Sequence, residues 1–195
     1  RDTIRDLLLF WSSKEDKLTS LQEYLDRMPE SQEKIYYVCA DSVEHAAKMP
    51  QAERVLKAGY EVLYLTVDED EIVLQMLENA GGKPFVSVAD ENALPVTEEE
   101  KATVEQAEKD HKDVLDFAQE TLKDQVAKVR LSKILQSGSV CLTAEGPVSL
   151  EMEKYFRKMR RDFPMQAQKV LEINPDSSAF QALCNAFQAG DKEKA

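Results

Sequence analysis

Cysteine, histidine, glycine and tryptophan are scarce in this 195-residue sequence, with 3, 2, 6 and 1 copies respectively. Cys39, Cys141 and Cys184 are widely spaced, each among apolar neighbours. That is neither a disulfide framework nor a paired metal motif, and the three read as reduced structural thiols. His45 and His111 stand far apart with no cysteine at ligand spacing, so they read as structural side chains. The few glycines leave no phosphate cradle, because Gly81-Gly82-Lys83 lacks the further glycine and the Ser or Thr of such a loop. No G-x-S-x-G elbow, H-E-x-x-H helix or paired C-x-x-C occurs. The acidic run Asp68 to Glu71 lacks the alternating ligands and central glycine of a calcium loop.

Positive charge is short as well. Lys and Arg number 25 against 37 Asp and Glu, a net charge of −12. Phosphate contacts need clustered cations, so a nucleic-acid surface is excluded and an anionic membrane surface disfavoured. No apolar run approaches the roughly 20 residues of a membrane helix, and the start has no secretory pattern. A soluble cytoplasmic protein is the expectation, with length for one large domain or two small ones.

What is present is organised around Thr19 to Ser42. Thr19 and Ser20 are N-caps followed three residues on by Gln22 and Glu23, in capping-box spacing. Leu21, Tyr24, Leu25 and Met28 form one apolar helical face, and Pro29 stops the helix. Ile35 to Cys39 is short and rich in strand formers, which predicts a buried strand. Asp41 or Ser42 then caps another helix.

Before this unit, Ile4, Leu7, Leu8 and Trp11 have helical spacing. After it, helices are predicted over Ser42 to Met49 and from Pro50 to a C′ glycine at Gly59. Tyr60 to Thr66 reads as a strand covered on both faces. A helix starting in Asp68 to Glu71 is predicted to bury Ile72, Val73, Met76, Leu77 and Ala80 and to end at Gly81-Gly82, before a strand over Lys83 to Val88. Strand, helices, strand, helix, strand is a βαβαβ unit, implying a parallel sheet with helices on its faces. Glu98 to Leu122 reads as one long helix with a seam of Val104, Ala107, His111, Val114 or Leu115, Ala118 and Leu122. Strands from Val126 to Leu131 and Val140 to Leu142 suggest a hairpin across Ser137-Gly138. A helix over Ser149 to Asp162, a strand over Lys169 to Ile173 and a last helix bearing Phe180, Leu183, Cys184 and Phe187 complete an α+β unit.

The helix SLEMEKYFRKMRRD stands out. Met152, Tyr155, Phe156, Met159 and Phe163 form a stripe of large, adaptable side chains, with Glu151 and Glu153 early and Arg157, Lys158, Arg160 and Arg161 late, as the macrodipole favours. Such a stripe either packs on its own hairpin or is a binding face.

The order SLQEYLDRM, turn, IYYV and DS resembles the middle segment of the heat shock protein ninety chaperones, especially the bacterial HtpG-like members. The resemblance continues through Gly59-Tyr60-Glu61-Val62-Leu63, Asp70-Glu71, Gly82-Lys83-Pro84-Phe85, Val126 to Ser132 and Leu171-Glu172-Ile173-Asn174-Pro175, nearly the whole chain. It implies a fragment spanning the end of the middle domain and the start of the carboxy-terminal domain. The implied fold is a three-layer αβα subdomain (residues 1–95), a helical connector (96–122) and a small α+β first part of the carboxy-terminal domain (123–195). The implied function is that of an ATP-dependent molecular chaperone that binds unfolded or partly folded client proteins and assists folding in the stress response.

Carried over position by position, the client contacts fall on Val148, Met152, Tyr155 and Phe156, with Ile72 and Gln75 contributing from the middle domain. Val148 replaces a usual Met, and Ile72 a usual aromatic. The resemblance also implies that ATP and Mg belong to an amino-terminal domain that precedes this piece, and that the helices joining a homodimer follow it. The piece alone is then expected to be a monomer without catalytic activity or cofactor. The rival reading is a nucleotide-cofactor-binding α/β enzyme domain, against which the missing Gly-rich first βα turn argues.

Overall fold

The computed structural model describes residues 5–90, 92–159 and 166–191. It divides the chain into two units, Arg1–Leu94 with Lys154–Arg161, and Pro95–Glu153 with Asp162–Ala195. Among the described residues the content is mixed α/β, with one six-stranded and one three-stranded sheet.

The first unit runs β1 (Leu9–Ser12), β2 (Leu18–Ser20), α1 (Leu21–Arg27), β3 (Ile35–Cys39), α2 (Val43–Ala46), α3 (Pro50–Lys57), β4 (Val62–Leu65), α4 (Asp70–Leu77), β5 (Asn79–Ala80) and β6 (Lys83–Ser87). Strand order is β2-β1-β4-β3-β6-β5. The centre is the predicted parallel set, with β3 parallel to both β4 and β6, while β1, β2 and β5 add antiparallel edges. Every residue of β4 is buried, and alternate side chains of β3 and β4 enter separate cores. Tyr36, Val38, Val62 and Tyr64 pack with Ala46, Ala52 and Val55 of α2 and α3. Ile35, Tyr37, Leu63 and Leu65 pack with Leu21 and Tyr24 of α1 and Leu74 of α4.

Local signals act where expected. Ser20 and Glu23 form a complete capping box at α1, Ser42 caps α2, Pro50 opens α3, and Gly59 has φ +83° just beyond the end of α3. Three expectations fail in this unit. Leu9–Ser12 is a strand rather than a continuation of helix: Phe10 and Ser12 turn inward, and Trp11 lies opposite both Leu18 and Tyr64. Sheet pairing on both edges overrides the helical spacing. The α4 stripe is also displaced, since the helix buries Glu71 and Leu74 while Met76 is 62% exposed. Glu71, turned inward, accepts the Tyr37 hydroxyl hydrogen at 3.3 Å. Gly81 and Gly82 do not end α4, which stops at Leu77. With φ of +57° and +75° they form the two-residue turn between β5 and β6.

The second unit contains α5 (Glu98–Asp110), α6 (Lys112–Leu122), β7 (Lys128–Leu131), β8 (Val140–Glu145), β9 (Gln168–Ile173) and α8 (Ser178–Gln188). Preceding β9 in sequence is α7 (Leu150–Met159), whose residues from Lys154 count with the first unit. The expected single helix over 98–122 is broken at His111, whose φ of −111° and ψ of 20° leave the helical region. Its ring meets Phe180 edge-on at 5.1 Å, and its Nδ1 lies 3.5 Å from Cys184 Sγ, so contact with α8 places the break. Val104, Val114, Leu115 and Ala118 pack with Val129, Leu131, Ile173 and Phe180. The expected hairpin does not form. Strand β9 lies between β7 and β8, parallel to β7 and antiparallel to β8.

Candidate functional site

Helix α7 starts from a side-chain cap, Ser149 Oγ accepting the Met152 N–H at 3.0 Å. Its acidic residues Glu151 and Glu153 stand in the first turn and Arg157 and Lys158 in the last, the arrangement the helix dipole favours. From Leu150 to Met159 the buried residue is Glu153, not a member of the apolar stripe. Its carboxylate accepts the Ala167 N–H at 3.0 Å and lies 3.5 Å from Lys169 Nζ, both on the segment entering β9. A buried carboxylate is stable only when so bonded and paired.

The stripe is consequently left nearer the surface. Met152, Tyr155 and Phe156 are half-buried, and Met159 is 68% exposed. The Tyr155 and Phe156 rings meet edge to face with centroids 5.6 Å apart, so the two aromatics form one apolar surface. Lys158 is ion-paired with Asp68. Arg160, Arg161 and Phe163 lie outside the described residues.

The remaining sequence-derived site residues are placed as follows. Val148, just before α7, is buried at 6% exposure. Ile72 is half-buried and Gln75 exposed on α4, near the exposed Met76. At the start of α4, burial pushes the Asp70 carboxyl up, opposed by hydrogen bonds it accepts from the Val67 and Thr66 backbone. Burial likewise raises the Tyr37 phenol, with the Glu71 carboxylate adding to the effect.

Besides Glu71, sequence reasoning missed three buried carboxylates among the described residues. Glu61 accepts from Ser12 Oγ at 2.7 Å and from Arg27 Nη2 at 2.6 Å. Glu172 accepts from Arg130, Ser132 and Thr143. Glu153 is the third. The first two had a signal, a lone Glu within or against an apolar strand run, which implies a partner across the sheet. For Glu153 no local signal exists, because its partners lie 14 and 16 residues away.

The clusters around Glu61, Glu153 and Glu172 are built of hydrogen-bonded and ion-paired side chains. Their carboxylates are occupied by structural donors, and no group of three or more His, Cys, Asp or Glu among the described residues could hold a metal ion. The Gly81-Gly82-Lys83 turn forms the β5–β6 hairpin, with Lys83 Nζ donating to the Gln32 carbonyl at 2.8 Å. No helix among the described residues is long and apolar enough to cross a membrane.

A family model described as Hsp90 protein matches residues 1–195. The chain belongs to the Hsp90 protein family. Chaperone protein HtpG of Bacillus subtilis is 46% identical over 194 residues, covering 100% of this chain and 31% of the relative. Those of Oceanobacillus iheyensis and Clostridium botulinum are 46% and 43% identical over the same length and with the same coverage. This Hsp90 chain therefore spans 31% of the length of the curated relatives it matches. The rival reading, a nucleotide-cofactor enzyme domain, has no support from these similarities.

Proposed function

We propose that this chain is the part of an Hsp90 family molecular chaperone that holds unfolded or partly folded client proteins, with α7 as the contact helix. The observation that carries the reading is the burial of Glu153 in place of the apolar stripe. Half-buried Met, Tyr and Phe side chains at the surface suit a promiscuous binder, because they are apolar and deform to many partners. Met152, Tyr155 and Phe156 are the principal contacts, with Ile72 and Gln75 of α4 as a further one. Val148, buried here, enters only as packing at the entry to the helix.

Residues 1–95 are read as an αβα subdomain of the middle domain, since two cores lie on opposite faces of β3 and β4. Residues 96–122 are read as the connector, and 123–195 as the first part of the carboxy-terminal domain. Family resemblance assigns ATP and Mg to an amino-terminal domain of the whole protein, and its homodimer contact to carboxy-terminal helices. This stretch by itself is then a non-catalytic cytoplasmic monomer, which sedimentation at micromolar concentration tests.

The test of the client site is paired. Met152→Ser and Phe156→Ser should weaken association with reduced, carboxymethylated α-lactalbumin while costing far less than the about 3 to 5 kcal/mol lost on truncating a core aromatic. A core-sized loss of stability at both positions, or unchanged client binding, refutes the reading.

A further inference from the structure

Successive residues of a helix are separated by about 100°, so Met152, Tyr155, Phe156 and Met159 gather within about 100° of arc, with Glu153 about 110° from its centre. An amphipathic helix left to its hydrophobic drive would turn the stripe inward. In α7 the inward position belongs instead to Glu153, 4% exposed, bonded to the Ala167 N–H at 3.0 Å and 3.5 Å from Lys169 Nζ. Rolling the stripe inward would take this carboxylate from both partners and strand the buried Ala167 N–H, a loss that opposes the gain from burying apolar surface.

We infer that Glu153 is the positioning residue of the client-contacting helix: its carboxylate, held by Ala167 and Lys169, sets the rotation of α7 and keeps Met152, Tyr155 and Phe156 available to bind. This rests on the client-holding reading of α7. Glu153 itself does not touch the client; it stands about 110° from the centre of the stripe, on its flank. Lys169 sits in β9, where Ala144 of β8 is its register partner, so the latch ties Glu153 to the sheet.

The experiment compares wild type, Glu153→Ala, Glu153→Gln and Lys169→Met in the 195-residue chain. It measures affinity for reduced, carboxymethylated α-lactalbumin and the rate at which peroxide oxidises Met152, with the exposed Met76 as internal reference. Glu153→Ala is expected to weaken client binding about tenfold and to slow Met152 oxidation, leaving Met76 unchanged. Glu153→Gln keeps an oxygen to accept the Ala167 N–H and should recover most of the affinity.

Should Glu153→Ala lose its cooperative thermal transition, Lys169→Met decides, since it removes only the cation from a partly exposed position. Weakened binding with slowed Met152 oxidation supports the inference. Wild-type values for both overturn it. Met152→Ser and Phe156→Ser separate the two ideas. If they weaken binding and the Glu153 and Lys169 variants do not, only the positioning role fails; if none of these variants weakens binding, the client site itself is wrong.

Discussion

Arg130 and Glu172 lie side by side on the parallel strands β7 and β9, with Nη2 2.6 Å from Oε1. Glu172 is 1% exposed and also accepts from Ser132 Oγ at 2.6 Å and Thr143 Oγ1 at 3.2 Å. One carboxylate thus gathers donors from β7, from the residue just after it and from β8. Removing Arg130 leaves a buried charge with hydroxyl donors alone. Arg130→Ala is expected to cost about 3 kcal/mol, read as a lowered urea midpoint at unchanged slope. A loss within about 0.5 kcal/mol would show that the hydroxyls suffice.

Cys141, in β8, shares this environment. Burial pushes its thiol up to about 12, with the Glu172 carboxylate raising it further and Arg130 opposing. Cys184 is raised by burial as well, whereas Cys39 is only half-buried. At pH 8, iodoacetamide should modify Cys39 first and reach Cys141 and Cys184 only when urea is added, as peptide mass spectrometry would show. Equal rates at all three in the folded protein would contradict the burial.

Tyr24 provides a pH signature in the first unit. Its hydroxyl donates to the Glu61 carbonyl at 2.8 Å and accepts from Gln32 Nε2 at 2.9 Å, and burial pushes its pKa up to about 12. The folded state disfavours the phenolate, so the contribution to stability is fully present below the ordinary value of 10.0 and is lost as pH rises through about 12. Tyr24→Phe should flatten the stability curve in that alkaline window and cost about 1 to 3 kcal/mol at neutral pH. An unchanged alkaline limb would remove Tyr24 as its source.

Gly81 and Gly82 both have positive φ, but a side chain at Gly81 would also meet Leu25, with its Cβ 2.9 Å from Cδ1, while Gly82 faces open space. Gly81→Ala should therefore lower the thermal midpoint more than Gly82→Ala, whose conformational cost alone is about 1 kcal/mol. Equal effects would mean that Leu25 yields without strain.

The sequence by itself determined those elements whose causes are local. The Ser20 and Glu23 capping box, Pro50 at the start of α3 and the apolar runs of β3 and β4 all act through residues within a few positions of each other. They were legible because a cap or a period needs no distant partner. The order of residue blocks also carried the family.

Tertiary structure decided whatever depends on a distant partner. Leu9–Ser12 became a strand because β2 and β4 offered edges on both sides, and β9 came between β7 and β8 although nothing near Ser137-Gly138 announces it. His111 broke a helix that its own neighbours would continue, through contacts with Phe180 and Cys184. The candidate site belongs to this second class. The stripe of α7 could be read as core or as surface, and the choice fell to a Glu whose partners lie 14 and 16 residues further along the chain. An amphipathic period shows which residues share a face; which face is buried depends on where a charge can be satisfied, and that is a property of the fold.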